Sequence, residues 1–103
     1  MKTLLLSEPG HFERTQTEEP GAPAAGHATV RIHRVGICGT DLHAFNGRQP
    51  FFAYPRILGH ELGAEVVAIG DDVQHLAVGD HVAVEPYLEC GTCQPCRSGR
   101  YHC

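Results

Sequence analysis

Three short stretches of this chain carry side chains able to do chemistry together. "GICGTDLHAF" places a thiol (Cys38), a hydroxyl (Thr40), a carboxylate (Asp41) and an imidazole (His43) within six residues. "YPRILGHELG" follows, with His60 and Glu61 between Gly59 and Gly63. "CGTCQPCRSGRYHC" then supplies Cys90, Cys93, Cys96 and Cys103.

In the last stretch two C-x-x-C steps share Cys93 and bring three sulfurs onto one tight turn, which Gly91 and Pro95 help to bend. Four thiolates at about 2.3 Å fill a tetrahedral zinc shell and leave no open position, the arrangement of a structural site. So short a segment has no core of its own, so bound metal would supply its folding energy. A redox C-x-x-C pair or a metal-free Cys-rich turn are the competing readings, and the doubled spacing favours zinc. Cys103 is the last residue of the sequence, so the lobe is expected to be cut at its final ligand and the chain to be truncated.

The other two stretches are weaker signals singly. A lone free Cys is often a small buried apolar residue, and a lone His says no more. Together, the Cys38 thiolate and a neutral His60 imidazole are borderline-soft ligands that suit zinc. A catalytic zinc site normally has three protein ligands plus water. Glu61, or a residue beyond position 103, would then complete the set. On spacing alone the metal and non-metal readings stand level. Thr40 and Asp41 also read as helix caps, and His43 as a surface helix residue.

Brief elements must hold these groups in place, because twelve Gly and seven Pro interrupt the chain at short intervals. "TLLL" and "HFERTQTEEP" read as two strands, and "GAPAAGH" as a loop. In "ATVRIHRVGIC", Ala28, Val30 and Ile32 alternate with Thr29, Arg31 and His33, which predicts a half-buried strand leading to Cys38. "GTDLHAFNG" predicts one or two helical turns, capped at Thr40 or Asp41 and stopped at Gly47. "RQPFFAYP" reads as a loop whose Phe51, Phe52 and Tyr54 either line a pocket or pack locally. "ELGAEVVAIG" and "HVAVEP" read as further strands around the turn-rich "GDDVQHLAVGD". Short strands separated by turns point to a small β-barrel.

Composition narrows the function classes. With 42% apolar and 19% charged residues the chain reads as a soluble globular domain. A net charge of −4 argues against a nucleic-acid surface, including a zinc ribbon. No apolar run approaches the roughly 20 residues of a membrane span. "MKTLLLSEPG" is too weakly apolar for a secretory leader, so the expected compartment is cytoplasmic, where thiols serve metal or redox chemistry. No G-x-G-x-x-G follows a strand, so no dinucleotide site lies within these residues.

Taken in order, "GICGTDLHAFNG", "YPRILGHELGAEVVAIG", "VGDHV" and "CGTCQPCRSGRYHC" resemble the zinc-dependent medium-chain alcohol and polyol dehydrogenases. The resemblance covers essentially the whole chain but only the amino-terminal half of that architecture. It implies a mainly β fold: a GroES-like small β-barrel with short helices over residues 1–103, including a Cys-rich zinc lobe at 88–103. The family's Rossmann domain, which binds NAD or NADP, lies outside this chain. Carried over by residue, Cys38 and His60 are implied catalytic-zinc ligands, and Glu61 is a ligand or one that swings in and out. Asp41 is implied to accept a hydrogen bond from the His60 ring. Thr40 holds the substrate hydroxyl and starts a proton relay that His43 passes to solvent. Cys90, Cys93, Cys96 and Cys103 hold structural zinc.

The implied activity is oxidation of a small-molecule alcohol (a polyol, sugar acid or other secondary alcohol) by zinc-alkoxide hydride transfer to the nicotinamide. The fragment alone is expected to be inactive, and the full-length protein to be a homo-oligomer, dimer or tetramer. Three departures stand out. The family's G-H-E-x-x-G ends in Ala64 here, with Gly63 one position earlier. Gly39 stands where some members place a basic phosphate contact. Cys103 comes one residue early, so residue 104 competes for the fourth lobe position. The rival reading is a free-standing zinc-binding interaction module, in which the lobe organises a protein-binding surface and "GTDLH" is only a capped turn.

Overall fold

Lys2–Glu8 (β1) and His11–Gln16 (β2) pair antiparallel, with Leu6 opposite Phe12, in the computed structural model, which describes residues 1–100. Their turn rests on the next element. The Gly10 amide donates to the Phe45 carbonyl at 2.7 Å, and the Phe12 and Phe45 rings stack with centroids 5.5 Å apart.

Ala28–Gly36 (β3), Glu61–Ile69 (β4) and His81–Ala83 (β5) form a second antiparallel sheet in the order β3-β4-β5. The β3 strand occupies the expected segment, but its alternation is not continuous. Register shifts at Thr29/Val30 and Ile32/Arg34 interrupt it at either end. Between them Val30 and Ile32 pair with Val66 and Ala64 and so share the buried face, yet Ile32 is 49% exposed. "HVAVEP" yields a strand of three residues only, ending at Ala83.

Gly39–Phe45 (α1) joins β3 to the loop that precedes β4. Its N-cap is Cys38, in extended conformation, and neither Thr40 nor Asp41. Asp41 sits in the first turn, where its Oδ2 accepts the Cys38 amide at 3.0 Å, so its carboxylate caps from inside the helix. Gly47, at φ +69°, follows the C-cap Asn46 and stops the helix as expected. A single turn, Gln94–Arg97 (α2), follows Cys93.

The fully buried apolar residues are few: Leu6 from β1, Ala44 from α1, and Ala64 and Val66 from β4. Leu6 also fixes the loop ahead of β4. Its amide donates to the Arg56 carbonyl at 2.8 Å and the Arg56 amide returns the bond at 2.9 Å. The loop 48–60 is thereby clamped to β1. Among the described residues no helix is long and apolar enough to cross a membrane.

Candidate metal centres and the adjoining cavity

The register of β3 against β4 brings the two chemical stretches together. Gly36 pairs with Glu61, so the segment leaving β3 and the segment entering β4 run side by side. Cys38 lies two residues beyond that pair and His60 one residue before it. Gly59 prepares the approach. At φ +110° it adopts a conformation L side chains rarely take, and a Cβ there would stand 2.9 Å from Val35 Cγ1.

Three atoms converge. Cys38 Sγ lies 3.0 Å from His60 Nε2 and 2.8 Å from Thr40 Oγ1, and Thr40 Oγ1 lies 3.2 Å from the same Nε2. Two ligands bound at about 2.3 and 2.0 Å in a tetrahedral zinc shell stand roughly 3.5 Å apart, so the sulfur and nitrogen are spaced to share one ion. Asp41 addresses the other side of the ring, with Oδ1 3.5 Å from His60 Nδ1. The same carboxylate accepts the Cys38 amide. Cys38, Asp41 and His60 thus form one half-buried group whose candidate ligand atoms lie within 4.8 Å of one another.

Glu61 does not join that group. Successive residues of an extended chain point to opposite sides, and the Glu61 side chain lies across Gly36, where an added Cβ would stand 2.5 Å from its Oε2. His43 is likewise apart. It stands one turn beyond Thr40 in α1 with its side chain exposed, and its ring makes no hydrogen bond among the described residues.

The second group is in the lobe. Cys93 Sγ lies 3.3 Å and Cys90 Sγ 3.8 Å from Cys96 Sγ, and the three sulfurs all fall within 4.8 Å of one another. Sulfurs of a tetrahedral Zn–S4 site are roughly 3.8 Å apart, a spacing that Cys90 and Cys96 meet and from which the 3.3 Å between Cys93 and Cys96 falls short. The Thr92 hydroxyl at 3.5 Å donates to Cys90 Sγ, as does the Cys93 amide at 3.3 Å. Led by Thr92, these donors lower the Cys90 thiol from its usual 9.0 to about 6. A sulfur that is largely thiolate at neutral pH is the form a metal binds. Cys103 and His102 lie outside the described residues.

A cavity of about 310 Å³ opens beside the first group. Its wall includes Thr40, Asp41, Gln49, Phe52, Arg56 and His60. Of the three loop aromatics, Phe52 is the one that reaches it. Phe51 is fully exposed, and Tyr54 packs edge-on to Phe52 at 5.1 Å while its hydroxyl donates to the Ala44 carbonyl. Sequence reasoning did not single out Gln49 or Arg56. The signal was a cation four residues ahead of His60, directly after a loop already suspected of lining a pocket. A wider depression beside the β1–β2 hairpin (Lys2, Leu4, Arg14, Gln16) has no metal-binding group in its wall.

A family model for the alcohol dehydrogenase GroES-like domain matches residues 24–103. The chain belongs to that family. The GroES-like domain is 46% identical to L-galactonate-5-dehydrogenase of Escherichia coli K12 over 103 residues, covering 100% of this chain and 30% of that protein. It is 36% identical to L-threonine 3-dehydrogenase of Pyrococcus horikoshii, covering 99% of this chain and 30% of the relative. Among solved structures it is similar to galactitol-1-phosphate dehydrogenase of E. coli, with a TM-score of 0.87 at 33% identity, over 98% of this chain and 29% of that one. An E. coli CFT073 alcohol dehydrogenase complexed with NADH gives 0.85 at 39% identity, over 97% and 28%. The GroES-like domain therefore spans about 30% of the length of the curated relatives it matches. The mainly β fold expected from the motifs is the fold observed.

Proposed function

We propose that the protein carrying this GroES-like domain is a zinc-dependent NAD(P) dehydrogenase that oxidises a polyol, sugar acid or other secondary alcohol. One observation carries the reading: a thiol, a hydroxyl and an imidazole nitrogen meet within 2.8–3.2 Å, and the hydroxyl and imidazole residues, Thr40 and His60, line one cavity. Cys38 and His60 would hold the ion, and Cys90, Cys93, Cys96 and Cys103 a second, structural one. Zinc would supply Lewis acidity that lowers the pKa of an alcohol, and a nicotinamide outside this chain would accept the hydride.

The remaining work falls to side chains. Asp41 holds the His60 ring by Nδ1 and keeps Nε2 turned toward Cys38, the role of an outer-shell carboxylate. Thr40 Oγ1, already within hydrogen-bond distance of Sγ and Nε2, is placed to take the proton of a substrate hydroxyl arriving from the cavity. His43, exposed one turn on, would release that proton to water. Glu61 can reach the metal only by swinging off Gly36. The interaction-module reading accounts for the lobe but leaves the convergence of Cys38, Thr40 and His60 beside a cavity unexplained.

The test is the full-length protein, purified without chelator, assayed for NAD(P) reduction with a panel of polyols and aldonic acids. Turnover of at least one alcohol with two zinc ions per chain is expected. Bound zinc with no turnover across the panel, with either nucleotide, would overturn the dehydrogenase reading in favour of the module.

A further inference from the structure

We infer that Arg56 is the anchor for a carboxylate carried by the substrate, at the end of the molecule away from the reacting hydroxyl. This rests on the dehydrogenase reading above. Four observations converge on it.

Arg56 shares the cavity wall with Thr40 and His60, so whatever reaches the Cys38–His60 group passes within its range. Its backbone is fixed by the paired bonds with Leu6, which is completely buried, so the base of the side chain does not wander. Its guanidinium lies over the Phe52 ring, 4.9 Å from the centroid, and Phe52 is in turn braced by Tyr54. The head group thereby rests against an aromatic ring, and its donors make no hydrogen bond to protein among the described residues. Finally, no carboxylate among the described residues pairs with it. The one acidic side chain in the same wall, Asp41, is taken up by the Cys38 amide and the His60 ring.

A pre-positioned guanidinium without a counter-ion matches the planar, two-oxygen face of a carboxylate. A phosphate dianion calls for more positive charge than this wall holds. Arg56 is its only Lys or Arg, and Asp41 opposes it. The cavity size, at the small end for ligand sites, suits a compact hydroxy acid with Gln49 available to its hydroxyls.

The experiment compares an aldonate with the alditol of equal chain length, using zinc-loaded full-length protein. Wild type, Arg56→Met and Arg56→Lys are each measured by calorimetric binding and by steady-state turnover. Because only backbone atoms of Arg56 bond to Leu6, both substitutions leave the clamp intact, and thermal unfolding verifies this. Arg56→Met should weaken aldonate binding and raise its KM roughly 10–100-fold, the worth of a charged hydrogen-bonded contact, with kcat little changed. Alditol kinetics should move less than about twofold, and Arg56→Lys should recover part of the loss because it keeps the charge without the fork.

Equal effects on aldonate and alditol would overturn the anchor, as would aldonate binding that is unchanged in Arg56→Met, or a wild-type preference for a phosphorylated polyol. The two readings fail separately. Aldonate binding that depends on Arg56 without turnover sinks the dehydrogenase, whereas turnover indifferent to Arg56 sinks the anchor.

Discussion

The Sγ of Cys38 and the Nε2 of His60 face each other at 3.0 Å, although 22 positions of sequence separate them. The pairing of Gly36 with Glu61 closes that loop. In the full-length protein, Cys38→Ser or His60→Asn should remove one zinc and leave the lobe zinc in place. Activity should fall by more than the roughly 10–100-fold that loss of an outer-shell partner costs. Elemental analysis beside the NAD(P) assay checks both. Unchanged metal content with unchanged turnover would refute the ligand assignment.

Asp41→Asn isolates the outer carboxylate. An amide oxygen can still accept the Cys38 amide, so the helix start should survive. The negative charge behind His60 Nδ1 is lost, and metal affinity or turnover should drop about 10–100-fold. Asp41→Ala removes the helix contact as well and should cost a further ~1 kcal/mol in thermal unfolding. Equal stability of the two variants would contradict the double role.

Cys90 should stand out among the thiols of the metal-free protein. Its thiol is lowered from 9.0 to about 6, so the thiolate is populated above pH 6 and lost as pH falls through that value. Alkylation of the Cys90 peptide, followed by mass spectrometry, should show its midpoint there. Thr92→Ala removes the leading donor and should move the midpoint upward, toward the ordinary thiol range. Bound zinc should protect the site and, because it competes with the proton for the sulfur, be released only on acidification below that midpoint.

Leu6→Ala tests how much rests on a thin core. Leu6 is fully buried, and only Ala44, Ala64 and Val66 share that status among the described apolar residues. The substitution should cost about 2–5 kcal/mol. A loss below 1 kcal/mol by denaturant titration would show that the site collapses around the gap.

The sequence disclosed the parts of this site whose signal is local. Strand runs, the Gly47 stop and the C-x-x-C steps depend on neighbours within a few residues, and each lies in its expected segment, although the second strand ends at Gln16 and not Pro20, and "HVAVEP" stops at Ala83. The N-cap was misplaced because capping preference favours Thr and Asp over Cys, whereas the Asp41 carboxylate reaches back from inside the helix and leaves Cys38 as the boundary. Ile32 stands opposite Ala64 on the face that alternation gives it yet remains half exposed, because alternation assigns a face and not how far that face is covered. Glu61, adjacent to His60 in sequence, has its side chain across Gly36, a placement that depends on strand pairing and so is invisible to spacing. Arg56 escaped notice because its bonds to Leu6 are made by main-chain atoms, which carry no residue signature.

That main-chain clasp has a wider consequence. The leading hairpin precedes residues 24–103, the span matched by the family, and holds none of the candidate metal-binding atoms. It nevertheless steadies the arginine that would select the substrate. The same hairpin also touches α1, the helix of Thr40 and Asp41, through Gly10 and Phe12 against Phe45. Under the proposed function, variation in the first sixteen residues would therefore be felt both at Arg56 and at the helix that carries Thr40 and Asp41.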